Sequence, residues 1–449
     1  MENLTDKPTL RIVSQGCAAN FGEGEQIGRA FERDYEVKFG MPEQTTASPA
    51  ENGLSNPPAA FVLNVCTVKG NAGALKLLRQ ATTVAPEAKI IITGCAPQDF
   101  RKEALRLKPD ITFTDIKELI QSIGQRGSVR LQNKPLRESS QVGIVNIESG
   151  CLDACSYCST RLVKGRLHSH PAEEIVQQVA KLVADGCREI QLTGQDCGCY
   201  GFDFPEKAPG PHNLAELVQK ILAEVPGDYH MRLGMGNPRH ILRYKETLME
   251  CFDDPRVYKF IHLPVQSGSE HTLQDMNRKH TARDYADLAK EFNDRFPLFT
   301  LSTDLIVGFP GESDQDFADT LRILRETRPT VCNITRFVSR PGTPAARMTN
   351  TVPDEIKHRR SAELAAAFQE IAQQNNSRWI GQEETVTVEK SGYRKGSIIA
   401  RNDAYRPVAI QVPAESGIPD QHSLQIAPGT RLKVRITGAE PFALMAQII

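Results

Sequence analysis

Several features are scarce or missing in this sequence of 449 residues, and each absence excludes a class of protein. No apolar run approaches the roughly 18 residues that a membrane-spanning helix needs, so we expect no membrane span. Residues 1–7 are polar and charged, and we therefore expect no signal peptide and a cytoplasmic location. The net charge of −1 creates no overall field that would attract nucleic acid, so any RNA partner must be held by local patches.

The length and the cysteine content fit a multidomain intracellular protein. A chain this long should form two or three domains, and hydrophobic and charged fractions of 40% and 24% are ordinary for globular proteins. Eleven cysteines, an odd number, argue for metal or redox use rather than for a disulfide framework. The positions of the cysteines therefore guide the search for a functional site.

The most specific signal is a group of three cysteines within eight residues. Cys151, Cys155 and Cys158 have C-x3-C-x2-C spacing and follow a run, 142–147, that predicts a buried strand. A short loop at the carboxyl end of a strand can turn all three sulfurs toward one point, and three thiolates suit a 4Fe-4S cluster with one open iron. A structural zinc site and free buried cysteines remain as alternatives, but zinc normally takes four ligands and core cysteines rarely crowd one turn.

The same loop carries an aromatic residue, Tyr157, directly before Cys158. This spacing resembles the signature of the radical S-adenosylmethionine (SAM) enzymes. In that superfamily the open iron binds the amino and carboxylate groups of SAM, and the aromatic side chain lies beside the adenine. The resemblance therefore implies that the cluster is catalytic and that SAM is a cofactor.

The N-terminal region predicts a parallel α/β sheet. Apolar runs at 9–14, 60–64 and 89–93 alternate with helical stretches predicted at 24–33 and 71–85. Functional groups of such sheets gather at the carboxyl ends of the strands. The residues at or just after these ends include Cys17, Cys66 and Cys95. Any one of them could be a small buried hydrophobe, but three in this position predict a second 4Fe-4S cluster, again with one iron left free.

The middle region, about 142–350, repeats an apolar strand-like run followed by a helical stretch. Six runs occur, at 142–147, 189–193, 230–233, 259–265, 299–307 and 331–337. Six β/α units are too few to close the eight-unit barrel, so we predict a partial (β/α)6 barrel whose open side admits a bulky substrate. Polar or glycine-bearing segments follow the strands, and we expect the active face there.

The last part of the chain predicts a small β-barrel. Composition changes near Gly381, after a basic helical stretch at 357–376, and short strand-like runs follow. These runs are 384–388, 398–400, 408–412 and 432–437. Small barrels of this kind often bind nucleic acid.

Six motifs together resemble the radical SAM methylthiotransferase family. They are 64–69 (NVCTVK), 93–95 (TGC), the cysteine loop, 262–269 (HLPVQSGS), 304–312 (DLIVGFPGE) and 339–348 (SRPGTPAARM). The family has an N-terminal cluster domain, a radical SAM core and a C-terminal TRAM barrel, so the resemblance covers nearly the whole chain. It implies an α/β fold class with domains at 1–137, 138–378 and 379–449. Segments such as 234–238 (GMGNP) are most similar to the archaeal and eukaryotic type, which methylthiolates N6-threonylcarbamoyladenosine at tRNA position 37.

The resemblance also implies cofactors, site residues and partners. Two 4Fe-4S clusters and SAM are expected, with Cys17, Cys66 and Cys95 holding the auxiliary cluster that carries the transferred sulfur. The SAM pocket is expected to contain Tyr157, Gln195, Gln266, Ser267, Asp304, Gly308, Gly311 and Glu312. The implied partners are tRNA, through its anticodon loop and adenosine 37, and an electron donor such as flavodoxin or ferredoxin. An inert C2–H bond has no acidic proton and no leaving group, which is why a radical is needed.

Several alternatives remain open at this point. The substrate could instead be N6-isopentenyladenosine-37 or an aspartate of a ribosomal protein, and a different class would be a non-catalytic iron–sulfur RNA-binding or redox-sensing protein. Arg232, Arg336 and Arg340 could meet the threonylcarbamoyl carboxylate, or they could form ordinary ion pairs. Lys164 stands where many members carry arginine, and it offers only a point charge.

Overall fold

A computed structural model describes residues 7–42, 57–67, 71–124, 137, 139–392, 396–411 and 426–449. Most of the surface loop predicted at 41–58 lies outside these residues, as do Val68 and Lys69 of the first family motif. Residue 138, the first residue after the predicted boundary between 137 and 138, is also outside the described part. Both predicted domain boundaries stay predictions. No helix among the described residues is both long enough and apolar enough to cross a bilayer.

The N-terminal part is a parallel sheet in the order β2-β1-β3-β4-β5 with helices against it. The strands are β1 (Thr9–Ser14), β2 (Glu36–Phe39), β3 (Ala60–Cys66), β4 (Lys89–Cys95) and β5 (Thr112–Phe113). The helices are α1 (Ala18–Phe31), α2 (Ala72–Val84), α3 (Gln98–Leu107) and α4 (Ile116–Gly124). The central strand β3 is buried up to its last residue, as expected for a parallel strand covered on both faces. The sequence did not predict β2 and β5, because both are short edge strands with exposed residues.

The central part is a partial barrel of six parallel strands within the described residues, which confirms the predicted fold class. The barrel strands are β6 (Val142–Asn146), β9 (Glu189–Thr193), β10 (His230–Leu233), β11 (Phe260–His262), β12 (Thr300–Val307) and β13 (Val331–Arg336). A short antiparallel pair, β7 (Glu148–Ser149) and β8 (His168–Ser169), flanks the cysteine loop. The strands form sheets β6-β9-β10 and β11-β12-β13, which meet where Gly236 N donates to His262 O at 3.0 Å.

Helices alternate with these strands and cover the barrel. They are α5 (Thr160–Lys164), α6 (Ala172–Ala184), α7 (Leu214–Glu224), α8 (Pro238–Ile241), α9 (Lys245–Cys251), α10 (Glu270–Asp275), α11 (Ala282–Arg295), α12 (Asp314–Thr327) and α13 (Asp354–Ser377). Their apolar faces pack with the strands into one large buried core. Helices α11 and α12 each begin with a capping box, which satisfies free backbone N–H groups of their first turns.

Helix α1 begins at Ala18, and the prediction that it starts at Gly24 was wrong. Glycine lowers helix propensity, so Gly22 and Gly24 obscured the first turns. Packing explains both glycines, because a Cβ on Gly22 would lie 2.8 Å from Ile144 Cγ2 and one on Gly24 would lie 2.1 Å from Ser14 Oγ. Helix α1 therefore contacts its own sheet and also strand β6 of the central part.

The C-terminal part is a closed five-stranded barrel in the order β14-β15-β16-β18-β17. Its strands are β14 (Glu383–Ser391), β15 (Ser397–Arg401), β16 (Pro407–Gln411), β17 (Arg431–Ala439) and β18 (Leu444–Ile448). The sequence missed β18, which has only two buried residues. Trp379, just after α13, packs into the core of this barrel.

The terminal barrel is attached to the central part by specific polar contacts. Tyr405 Oη donates to Glu189 Oε1 at 3.1 Å, and Arg406 Nη2 donates to Asn376 Oδ1 at 2.9 Å. His230 Nε2 lies 3.2 Å from Asp403 Oδ1. These contacts place the loop between β15 and β16 against the strands of the partial barrel.

Candidate active site

A glycine shapes the cysteine loop between β7 and α5. Gly150 precedes Cys151 with φ of +80°, and a Cβ there would lie 2.0 Å from Arg166 O. No other residue type fits this close approach. Cys158 N donates to Cys155 O at 3.2 Å, which tightens the end of the loop.

Two thiols of this loop, Cys151 and Cys155, have raised pKa values. Burial raises the pKa of Cys151, and the charges of Asp196 and Cys155 raise it further. Burial also raises the pKa of Cys155, while Arg278 opposes the rise and Cys158 adds to it. A bound metal centre would compensate for this crowding, because metal ligation stabilises thiolates. The three thiols therefore fit a 4Fe-4S cluster with one open iron.

Arg278 is a partly buried residue beside this loop that the sequence did not single out. Its Nη1 lies 3.7 Å from Cys155 Sγ, and its Nη2 donates to Asn237 Oδ1 at 3.0 Å and to Pro264 O at 2.7 Å. The guanidinium thus directs positive charge at one thiol while two other segments hold it in place. Arg278 and Cys155 are 123 residues apart in the chain, so no local motif could indicate the contact.

A buried polar network under the loop joins the segments that follow different strands. Asp153 accepts hydrogen bonds from Asn237 Nδ2 at 2.6 Å and from Arg239 Nη1 at 2.5 Å. His240 Nε2 lies 3.3 Å from the same carboxylate. The segment 234–238, which follows β10, therefore contributes Asn237, whose side chain contacts the cysteine loop through Asp153.

Asp196, Cys199 and His240 form a second set of metal-ligating side chains in this network. All three are buried, and their ligand atoms lie within 4.8 Å of one another. Among the described residues, this is the one group of three or more metal-ligating side chains whose ligand atoms lie so close together. Cys197 lies apart from the set, in the apolar core of the central part.

Cys17, Cys66 and Cys95 come together at the carboxyl end of the N-terminal sheet. Cys66 and Cys95 end β3 and β4 in register, and a Cβ on Gly16 would lie 2.9 Å from Cys66 Sγ. Cys17 follows Gly16 and caps α1. Burial raises the pKa of Cys95 to about 12, Lys164 opposes this rise, and Cys66 and Cys17 add to it. These thiols also fit a metal cluster with three protein ligands.

Two charged side chains connect the two sets of cysteines. Lys164 Nζ, in α5, lies 2.5 Å from Glu23 Oε1, in α1, and both side chains are about one-tenth exposed. Burial lowers the pKa of Arg340, and nearby groups that include Cys66 and Cys158 oppose this effect. Arg340 is therefore within electrostatic range of a cysteine of each set, and it lines the cavity described next together with Cys158.

The carboxyl ends of β11, β12 and β13 enclose a cavity of about 630 Å³ beside the cysteine loop, which we name the main cavity. Its lining includes four predicted residues, Tyr157, Cys158, Gln266 and Asp304, together with His262, Asn333, Arg336 and Arg340. His262 Nε2 lies 3.1 Å from Asp304 Oδ1. A cavity of this volume is typical of small-molecule sites, and its position beside Cys158 and Tyr157 fits SAM.

Five other predicted SAM residues do not line the main cavity within the described part of the chain. They are Gln195, Ser267, Gly308, Gly311 and Glu312. Glu312 Oε1 accepts from Gly308 N at 3.0 Å and from the buried Arg360 Nη1 at 2.6 Å. Gln195 Oε1 accepts from Gly150 N at 2.7 Å. These contacts shape the loops around the cavity, and direct contact with SAM stays a prediction.

Comparisons with known proteins assign this architecture to a class. Residues 145–324 match the radical SAM superfamily, and residues 378–449 match the TRAM domain. The structure of the radical SAM methyltransferase TsrM from Kitasatospora setae aligns with a TM-score of 0.52 over 76% of this chain and 77% of that one, at 10% identity. This likeness concerns the fold alone. Fold, cysteine loop and family matches together define a radical SAM enzyme with a TRAM domain.

Curated relatives narrow the class. A probable threonylcarbamoyladenosine tRNA methylthiotransferase from Archaeoglobus fulgidus is 41% identical over 90% of this chain and 93% of its own length. The threonylcarbamoyladenosine tRNA methylthiotransferase of Homo sapiens is 31% identical over 89% of this chain and 69% of its own length. This chain belongs to the threonylcarbamoyladenosine tRNA methylthiotransferase family.

Proposed function

We propose that this protein inserts a methylthio group at C2 of N6-threonylcarbamoyladenosine-37 in tRNA by radical SAM chemistry. The observation that carries the proposal is the presence of two three-cysteine sets, one of which borders the main cavity through Cys158, in a chain whose relatives bear this name. A non-catalytic iron–sulfur sensor would not need a second set of thiols beside a cavity of small-molecule size.

The protein's own residues hold the reactants and exclude water. Bound to Cys151, Cys155 and Cys158, a 4Fe-4S cluster would supply the electron that cleaves SAM to a 5′-deoxyadenosyl radical. Tyr157 borders the main cavity and offers a flat face for the adenine of SAM. Arg278 holds positive charge against Cys155.

Cys17, Cys66 and Cys95 would hold the auxiliary cluster, which carries the sulfur. Their mutual approach and the raised pKa of Cys95 support this role, because a buried thiol of this kind gains most from metal ligation. The TRAM barrel would hold the anticodon arm. A small electron carrier such as flavodoxin or ferredoxin would supply the electrons.

The test uses the anaerobically reconstituted full chain with SAM, a reductant and an anticodon stem-loop RNA that carries t6A37. Mass spectrometry of the digested RNA should show the methylthio derivative, and the Cys17→Ala variant should cleave SAM without forming it. A matched stem-loop with isopentenyladenosine at position 37 serves as the competing substrate. Reaction with the isopentenyl RNA alone would overturn the substrate, and absence of SAM cleavage would overturn the enzyme class.

A further inference from the structure

A second cavity, of about 450 Å³, lies between the partial barrel and the TRAM barrel, and we name it the rear cavity. It shares His262 and Asn333 with the main cavity, so the two spaces adjoin. Three arginines line it, Arg232, Arg401 and Arg406, and its described lining contains no carboxylate. This composition favours an anionic ligand.

Arg232 is the least satisfied of these arginines. Its guanidinium lies over the rings of Phe260 and Tyr405, at 4.8 and 5.2 Å from the ring centroids. Among the residues that the structure describes, none accepts a hydrogen bond from it, and its buried Nε has no partner. A stacked guanidinium is fixed in orientation, and its edge can still bind a carboxylate in two places.

Arg406 adds a second incompletely paired guanidinium. Its side chain is 2% exposed, its Nη2 donates to Asn376 Oδ1, and its Nε lacks a partner. Arg401 differs, because its Nη2 donates to Glu389 Oε2 at 3.0 Å and its charge is thereby balanced. The uncompensated positive charge of the rear cavity therefore comes from Arg232 and Arg406.

The geometry of a purine connects the two cavities. In the six-membered ring of adenine, C2 and C6 are the two neighbours of N1, so the C2–H bond and the C6–N6 bond diverge. Reaction at C2 requires that the C2–H bond of the base faces the cysteines, at the end of the main cavity that is lined by Cys158 and Arg340. The N6 substituent then leaves the ring to one side of the cysteines, where the wall shared with the rear cavity can receive it; in this wall Asn333 Nδ2 donates to Asp304 Oδ1 at 2.7 Å.

We propose that the rear cavity binds the carboxylate of the N6-threonylcarbamoyl group through Arg232, with Arg406 behind it. The inference rests on the proposed function and names the residues that select its substrate. An isopentenyl group would leave both guanidinium edges unpaired in a buried site, which disfavours it. Arg340 is less suited to the carboxylate because it lies beside the cysteines, at the C2 end.

The experiment compares Arg232→Met with Arg243→Met in the reconstituted full chain. Arg243 also stacks on an aromatic ring, Phe202, at 4.4 Å, but it does not line either cavity. With the t6A37 stem-loop, Arg232→Met should raise KM at least about tenfold, since a lost charge-assisted hydrogen bond has an effect of this order. Arg243→Met should leave KM unchanged.

A second measurement removes the charge from the ligand instead of the protein. The wild-type chain is assayed on the t6A37 stem-loop and on the same RNA with its threonyl carboxylate methyl-esterified. The ester should raise the wild-type KM about as much as Arg232→Met does, and it should have little further effect in that variant. Arg232→Lys keeps the charge but not the paired donors. Its KM for the t6A37 stem-loop should therefore lie between the KM of the wild type and that of Arg232→Met.

The outcomes separate the inference from the function on which it rests. If the wild-type chain methylthiolates the t6A37 RNA but ignores esterification, the carboxylate site is wrong and the function stands. If the ester and Arg232→Met raise KM independently, the carboxylate is bound elsewhere and the inference is also wrong. If the wild-type chain never modifies the t6A37 RNA, the proposed function itself is wrong.

Discussion

Arg278 shows how a residue that is not itself a cluster ligand can influence the reduction potential of a cluster bound by the cysteine loop. Its Nη1 faces Cys155 Sγ, and contacts with Asn237 and Pro264 fix its position. Positive charge near a thiolate ligand stabilises the added electron of a cluster, so this contact should raise the reduction potential. Arg278 is therefore a positioning residue whose effect is measurable as a potential.

We expect Arg278→Gln to lower the reduction potential of the cluster on the cysteine loop, because the facing charge is removed. Redox titration followed by electron paramagnetic resonance measures the potential in the reconstituted full chain. Arg278→Lys is the matched control, since it retains the charge and should move the potential less. Equal potentials in the wild type and in Arg278→Gln would show that Arg278 only fills space.

The sequence predicted the cysteines of the loop but not the residues around them. Cys151, Cys155 and Cys158 are recognisable because their spacing is local, and the structure keeps them on one turn. Arg278 and Asn237 reach the loop from distant segments, so only packing reveals their contacts. The rear cavity could not be predicted from the sequence either, because its lining comes from two separate parts of the chain.

At the scale of elements, α1 positions the N-terminal cysteines against the partial barrel. The helix begins just after Cys17, approaches β6 through Gly22, and carries Glu23 to Lys164. Its sequence looked like a poor helix because of its glycines, and the prediction placed its start too late. The close packing that these glycines permit cannot be inferred from helix propensity.

Replacing Gly24 with alanine should destabilise the N-terminal part by about 1–3 kcal/mol, the usual cost of overpacking. A Cβ at this position would lie 2.1 Å from Ser14 Oγ. Thermal unfolding of the full chain measures the effect. Ser14→Ala removes the buried and unpartnered hydroxyl, so the double variant should recover much of the loss. A double variant as unstable as Gly24→Ala would contradict this account of the contact.

At the scale of the whole molecule, the two sets of cysteines come from different parts of the chain and meet through fixed contacts. The ion pair between Lys164 and Glu23 is almost buried, and Arg340 is within electrostatic range of both Cys66 and Cys158. The N-terminal sheet and the partial barrel were predicted separately from strand and helix patterns. Their relative arrangement was not, because it depends on contacts between side chains far apart in sequence.

Anaerobic reconstitution should give about eight irons per chain, as expected for two four-iron clusters. Changing Cys151, Cys155 and Cys158 together to alanine should leave about four, and so should changing the three N-terminal cysteines, since each set would bind its own cluster. The Cys187→Ala/Cys251→Ala variant is the control, because both of these thiols lie in the core of the central part. Iron content that falls to zero in either triple variant would indicate one shared site.

The rear cavity also has a consequence for how such enzymes diverge. One of its walls comes from the partial barrel, through Arg232, and the other from the TRAM barrel, through Tyr405 and Arg406. The TRAM barrel, which we propose holds the anticodon arm, therefore also contributes to the pocket proposed for the modified base. In a chimera whose TRAM barrel comes from a relative with another substrate, one wall of the rear cavity would come from that relative. Substitutions that line the rear cavity from the two parts are therefore expected to affect substrate binding jointly.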